Sequence, residues 1–422
     1  MTELPERRGI RGISDPVKIL VLLTMLNLLN YLDRLVVSAV LPKLSADLSL
    51  SNFEGGALAT IFLVGYFITS PIFGTLGDRG NRKGLIAVGV AVWSVATIAT
   101  GFATGRWSLF AARAVVGIGE ASYATIAPTI IDDIAPADKK GRWLAVFYSA
   151  SPIGSALGYF VGGGVEHAYG WRAAFFVAGG PGLLLAALCL MIAEPARQSA
   201  SKRESVFEAA KALIPLKLYR RGVLGYAAYT FAIGAFAYWA PTYLYKRYEL
   251  ALNVANLRFG AITVLAGAIG TAIGGWWGDR AAKKDRGEPD ESRNAALGYL
   301  RVCAISLAIG APLALGAILS PTAPTFFAWV FIAEIALFTS TSPINSVILR
   351  SVPIERRASA MALSILAIHL LGDLWSPALI GLIADHAPME LAMLMLPAAF
   401  AVGAGIWWMQ KPRAAELVES AP

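Results

Sequence analysis

Asp33, Arg34, Arg113, Glu120, Glu334, His369 and Asp373 all fall inside long apolar runs of a 422-residue chain. An ionisable side chain at the middle of a membrane helix costs about 2.5–3.5 kcal/mol on insertion scales, so each needs a partner, water or a task. Asp33 lies nine residues before the outer end of its run, and Arg113 six residues after the outer start of the run that contains it. At about 1.5 Å per residue, both come to roughly 9–14 Å beneath the outer surface. That is level enough for a carboxylate–guanidinium pair. Glu120 is two helical turns deeper on the same face as Arg113, and Gly117 between them leaves the backbone open to a neighbour.

Two chemistries suit this arrangement. In a proton relay, apolar surroundings favour the protonated carboxyl and a nearby arginine favours the carboxylate. Moving Arg113 away from Asp33 or Glu120 then switches those groups between holding and releasing a proton. The alternative is a static buried ion pair that fixes helix packing. Two carboxylates sharing one guanidinium leave a surplus acid that a purely structural pair avoids, which favours the relay. Arg113 is also the deep cation best placed to meet an anionic headgroup, which its planar fork suits. Arg34 points about 100° away from Asp33 around the helix and serves either the cargo or the neighbours of Asp33.

Further candidates lie in the second half. Tyr226 and Tyr229 belong to an aromatic-rich run, where they form either the wall of an acyl-chain cavity or ordinary packing. Tyr238 and Trp239, nearer the outer end, fit an interfacial belt. His369 and Asp373 are one turn apart and face the same way, which predicts a hydrogen-bonded pair. A His–Asp pair without further ligands makes no metal site. Glu334, His369 and Asp373 are candidates for cargo or proton contact, with Glu334 and His369 placed beside Arg113, Arg34, Tyr226 and Tyr229 as cargo contacts.

The elements that position these groups are membrane helices. Apolar residues make up 56% of the chain, only 15% are charged, and the mean hydropathy is +0.60. A soluble protein is nearer a quarter charged. Spanning ~30 Å of hydrocarbon takes about 20 apolar residues, and twelve such runs occur: 17–42, 54–77, 84–103, 107–133, 142–165, 173–193, 219–247, 255–280, 296–319, 323–351, 357–385 and 389–410. With both termini placed inside, the outer loops hold only Lys43, Arg106, Arg172, Lys246, Arg247 and Arg258 of the 36 lysines and arginines. This is the positive-inside bias. The net charge of +8 therefore reflects topology and not a nucleic-acid partner. Cys189 and Cys303, one in each half, do not suggest a disulfide framework. Met1–Lys18 is polar and the first run lacks a cleavage-like end, so it reads as a retained helix.

The chain repeats itself. Gly77-Asp78-Arg79 recurs as Gly278-Asp279-Arg280 nearly half the chain later, each closing an apolar run. Pro136–Arg142 before the fifth run is matched by Pro353–Arg357 before the eleventh. Matched loops in matched places predict an all-α membrane protein of two pseudo-symmetric six-helix bundles, 1–195 and 219–422. Between them, 196–218 is a charged linker in which Val206, Phe207, Ala210, Leu213 and Ile214 share one helical face. It is either an amphipathic surface helix or a flexible connection.

Gly74-Thr-Leu-Gly77-Asp78-Arg79-Gly-Asn-Arg82-Lys83 resembles the loop signature between the second and third helices of the major facilitator superfamily. Arg113-Ala-Val-Val-Gly117-Ile-Gly119 resembles its fourth-helix motif. Asn30-Tyr-Leu-Asp33-Arg34, Gly119-Glu-Ala-Ser-Tyr123, Thr125-Ile-Ala-Pro-Thr129, and Phe147-Tyr148 followed by Pro152–Tyr159 resemble the spinster-like branch. In the second half that resemblance rests mainly on Gly234–Pro241.

The resemblance implies alternating access, with an amphipathic lysophospholipid or sphingolipid-like cargo coupled to protons. It also implies an inner-side gate, for which Asp78, Arg79, Arg82, Arg142, Asp279, Arg356 and Arg357 are the candidates. Asp78 would face the positive start of the eleventh helix, with a looser role for Asp279, whose copy lacks the following Gly-Asn-Arg-Lys. An integral protein of a bacterial inner membrane, monomeric and surrounded by membrane lipids, is expected, with both termini cytoplasmic. No cofactor or metal is expected. No phosphate-binding Gly-x-x-x-x-Gly-Lys-Ser/Thr loop occurs, which argues against ATP as the driving force. No credible nucleophile–base pair points to an enzyme. The rival readings are a multidrug or organic-anion carrier and a non-transporting lipid sensor.

Overall fold

A backbone in lipid has no water to satisfy its polar groups, so a chain of this composition must close its hydrogen bonds within helices. The computed structural model describes residues 13–136, 138–194, 206–283 and 291–408. Among them are twelve helices long and apolar enough to cross a membrane, and each matches one of the expected runs. In chain order the spans are Pro16–Asp47, Asn52–Arg79, Arg82–Gly101, Arg106–Ile134, Lys140–Tyr169, Trp171–Leu190, Lys217–Tyr248, Leu252–Lys283, Ser292–Ile318, Ala323–Arg350, Ile354–Ala384 and Met389–Trp408.

Local chemistry sets several starts. Asp15 accepts from the Val17 amide with Pro16 in the first turn, Ser51 and Glu54 form a reciprocal capping box, and Asn81 caps the third span through the Gly84 amide. Each satisfies amide groups that the first turn leaves without helical partners.

Backbone contacts divide the chain into two compact units, Met1–Lys202 with Leu250–Gly260, and Arg203–Glu249 with Ala261–Pro422. In the first, the first span packs on the fifth, the second on the fourth, and the third on both the fourth and sixth. Glycine allows the close crossings. A Cβ at Gly117 would run into the Phe62 carbonyl of the second span, and one at Gly119 would meet the Trp93 amide and the Gly89 carbonyl of the third at 2.6 and 2.7 Å. The opening of the eighth span belongs to this unit, where Asn256 donates to the Ala39 carbonyl at 2.9 Å.

In the second unit the seventh and ninth spans pack on the twelfth, and the ninth on the tenth. Two spans are irregular. The tenth is broken at Thr339–Ser340 between Ala323–Phe338 and Thr341–Arg350, and the eleventh carries a π-helical turn at His369–Asp373.

Residues 196–205 of the expected linker lie outside the described residues. Beyond them Val206–Leu213 is a helix that packs on Arg357–Ile368 of the eleventh span, and the seventh span begins at Lys217. Ala209 and Leu213 of this helix are buried, and Ile214, just past its end, is exposed.

Candidate functional site

The first and fourth spans bring four charges, Asp33, Arg34, Arg113 and Glu120, together in the first unit, against side chains of the second and third. Asp33 is 1% exposed, Arg113 2% and Glu120 0%. None of the three is turned toward lipid. Asp33 Oδ2 accepts a hydrogen bond from the Thr97 hydroxyl at 2.6 Å, and its Oδ1 has no hydrogen-bond partner. Arg34 Nε donates to Glu120 Oε2 at 2.8 Å, leaving Glu120 Oε1 unpartnered.

Arg113 is close enough to act electrostatically on both Asp33 and Glu120, yet its Nε and Nη1 make no hydrogen bond. Its guanidinium instead lies 5.1 Å from the centroid of the Phe62 ring. The same ring is 5.0 Å from the Arg34 guanidinium, which Tyr31 and Tyr66 also flank at 5.1 and 5.3 Å. Such cation–π contacts hold a desolvated cation without neutralising it.

The expected sharing of Arg113 is thereby corrected in its partners. There is no direct Asp33–Arg113 pair. Arg34 takes Glu120 because its place one residue beyond Asp33 turns it toward the second and fourth spans, where Phe62 and Glu120 lie. Thr97 takes Asp33 from the third span, a contact that sequence reasoning missed. Its only signal was a hydroxyl among the apolar residues of that span.

In the second unit, Glu334 is 1% exposed and accepts from the Thr263 hydroxyl at 3.1 Å through Oε1, while Oε2 has no partner. Tyr229 is buried with an unpartnered hydroxyl, and its ring stands 6.0 Å from that of Tyr226 and 5.9 Å from Phe400. His369 Nδ1 meets both carboxylate oxygens of Asp373 at 2.8 and 2.9 Å. The pair is the expected one, but it forms across a π-helical turn, a geometry that often marks functional positions. Asp373 rests on Gly234, where a Cβ would approach within 2.5 Å. Trp239 belongs to no interfacial belt: it is buried and its indole N–H is spent on the Pro377 carbonyl at 2.9 Å.

The candidate gate residues separate by environment. Asp78, Arg79 and Arg142 are exposed. Arg82 is not a rim charge. It is 4% exposed and bridges Asp133 of the fourth span and Glu194 beyond the sixth, at 2.5 and 3.1 Å. The same Glu194 accepts from the Lys83 amide at 3.1 Å, and Lys83 Nζ donates to the Leu190 and Ile192 carbonyls at 3.2 and 2.6 Å. Asp279 accepts from the Tyr299 hydroxyl at 2.7 Å, while Arg357 Nε donates to the Leu349 carbonyl at 3.0 Å. Arg356 is half-buried at the start of the eleventh span.

Known proteins share this frame. The description Major Facilitator Superfamily fits residues 23–289, and that of the Organic Anion Transporter Polypeptide family fits residues 320–389. Over 437 residues the chain is 32% identical to the probable sphingolipid transporter spinster homolog 2 of Arabidopsis thaliana, covering 93% of this chain and 87% of that one. The chain belongs to the major facilitator superfamily, in its spinster branch. Protein spinster of Drosophila melanogaster is 34% identical over 398 residues, 90% of this chain, which spans 64% of the length of that relative. Among solved structures, a bacterial homolog to the human lysosomal transporter spinster superposes with a TM-score of 0.78 at 22% identity, covering 93% of this chain and 94% of that one. This major facilitator is an integral membrane carrier and not an enzyme.

Proposed function

We propose that this spinster-branch carrier moves an amphipathic lipid of the lysophospholipid or sphingolipid class by alternating access, driven by protons. One observation carries the reading: three buried charges and the partly exposed Arg34 share one site with their bonding capacity half spent. Asp33 and Glu120 each keep an unpartnered oxygen, and Arg113 keeps two unpartnered donors between them. A pair fixed only for packing would spend these groups, because an unmet buried donor or acceptor costs about 1–3 kcal/mol. An arginine so placed turns toward an anionic headgroup when cargo arrives. The carboxylates it leaves then take up protons, and both return when the cargo departs. The name of the Arabidopsis relative supports the lipid class. The positive-inside bias supports cytoplasmic termini, and a bacterial inner membrane and a monomeric carrier complete the reading.

The test is uptake of labelled lysophospholipid by liposomes containing the purified protein, with and without an imposed pH gradient. The gradient should accelerate uptake, and Asp33→Asn and Glu120→Gln should each abolish that acceleration. Proton-driven uptake undiminished in both variants overturns the proposal. A second reading, an organic-anion carrier, is favoured by the family match over 320–389. Competition by small organic anions but not by lysophospholipid would select it.

A further inference from the structure

The acids of the first unit lie beside arginines. Glu334 does not. It is buried in the tenth span, and among the described residues no arginine, lysine or histidine pairs with it. The elements around it supply hydroxyls instead of cations. The eighth span offers Thr263, bonded to Oε1 at 3.1 Å, and the seventh offers Tyr229, near enough to interact electrostatically. Among titratable groups on the neighbouring spans, Tyr299 donates to Asp279, the Cys303 thiol is directed at the Ser340 carbonyl, His369 is held by Asp373, and Tyr226 stands beside Tyr229 with ring centroids 6.0 Å apart. The twelfth span presents Phe400 to Tyr229.

We infer that Glu334 is a second proton-binding residue, housed entirely in the second unit and separate from the Asp33–Arg34–Arg113–Glu120 cluster. An ionised carboxylate without a cation in an apolar interior is one of the most costly groups a protein can bury. A single proton removes that charge. It adds at Oε2, the oxygen without a hydrogen-bond partner, converting the group from anionic to neutral while Thr263 stays on Oε1. On release the proton returns to water and the carboxylate is left with the Thr263 hydroxyl. Tyr229 has its own unsatisfied hydroxyl in the same interior, a polar group available to whichever form is present. Of the two roles the sequence leaves open for Glu334, cargo contact or proton contact, the geometry favours the second. Its role in transport rests on the proton-coupled reading above, but its protonation does not.

The inference is tested by infrared difference spectra of the full-length protein in liposomes, recorded between acidic and alkaline pH. Wild type, Glu334→Gln and the Asp33→Asn/Glu120→Gln double variant are compared. A carbonyl band of a buried carboxylic acid should vanish in Glu334→Gln and persist in the double variant. Proton uptake on acidification should fall by about one per molecule in Glu334→Gln. If that variant does not fold, Thr263→Val keeps the acid, removes its donor and should displace the band. A spectrum unchanged in Glu334→Gln, or in Thr263→Val where that variant stands in, or a band lost wholly in the double variant, overturns the inference. Lipid uptake that is indifferent to a pH gradient would instead defeat the proposed coupling and leave the Glu334 band in place.

Discussion

Arg34 Nε lies 2.8 Å from Glu120 Oε2, with the arginine side chain 21% exposed and the glutamate fully buried. The acid deepest in the first unit is therefore held by an arginine that stands against three aromatic rings. Arg113, more deeply buried than Arg34, holds nothing directly. One guanidinium anchors the site and the other is left to move.

Removing the anchor should cost more than removing the pair. Arg34→Ala strands Glu120 in an apolar interior, and breaking one side of a buried ion pair typically costs about 3–5 kcal/mol. Arg34→Ala/Glu120→Gln removes the uncompensated charge and should recover a large part of that loss. Thermal unfolding of the purified protein in detergent, read as a double-mutant cycle, measures the coupling. Additive effects would mean that the pair contributes no interaction of its own.

Arg82 makes a second prediction, now about architecture. Its guanidinium joins the start of the third span to the end of the fourth and to Glu194 beyond the sixth. Arg82→Ala leaves Asp133 and Glu194 without their shared cation and should destabilise the protein by about 3 kcal/mol. Arg82→Lys keeps the charge but lacks the planar fork that reaches two carboxylates at once, so it should recover only part of the loss. Full recovery by lysine in an unfolding assay would show that charge alone matters there.

The expected frame was legible because membrane helices announce themselves by length and apolarity, and all twelve runs became spans. Buried charges were legible for the same reason, since they are rare in such runs. Their partners were not. Arg34 and Arg113 are alike in sequence, and which one reaches Glu120 depends on helix rotation and on the Gly117–Phe62 crossing. The Arg82 bridge was hidden because Asp133 and Glu194 look like ordinary boundary charges. The π-helical turn at His369–Asp373 leaves no periodic signature over five residues.

Two glycines that look alike in sequence should respond differently. A Cβ at Gly117 meets the Phe62 carbonyl, whereas Gly164 has nothing within 4 Å. Gly117→Ala forces the second and fourth spans apart and shifts Phe62 from between the two guanidinium groups. The expected loss is about 1–3 kcal/mol, with reduced lipid uptake. Gly164→Ala should be near neutral or slightly stabilising, as alanine favours helix over glycine. Equal effects of the two substitutions on unfolding temperature would contradict the crossing described here.

Thr97 should set the pH at which the first unit works. Its hydroxyl donates to Asp33 Oδ2 at 2.6 Å, and a donor of this kind stabilises the carboxylate over the protonated acid. Thr97→Val keeps the shape of the side chain and removes that donor. The midpoint of proton-driven uptake should therefore move upward in Thr97→Val, while Thr97→Ser, which retains the hydroxyl, should leave it in place. A structural role alone predicts lower stability in Thr97→Val with an unmoved midpoint. Liposome uptake measured across pH for the two variants separates these outcomes, because only loss of the hydroxyl, and not loss of the methyl, bears on the proton at Asp33.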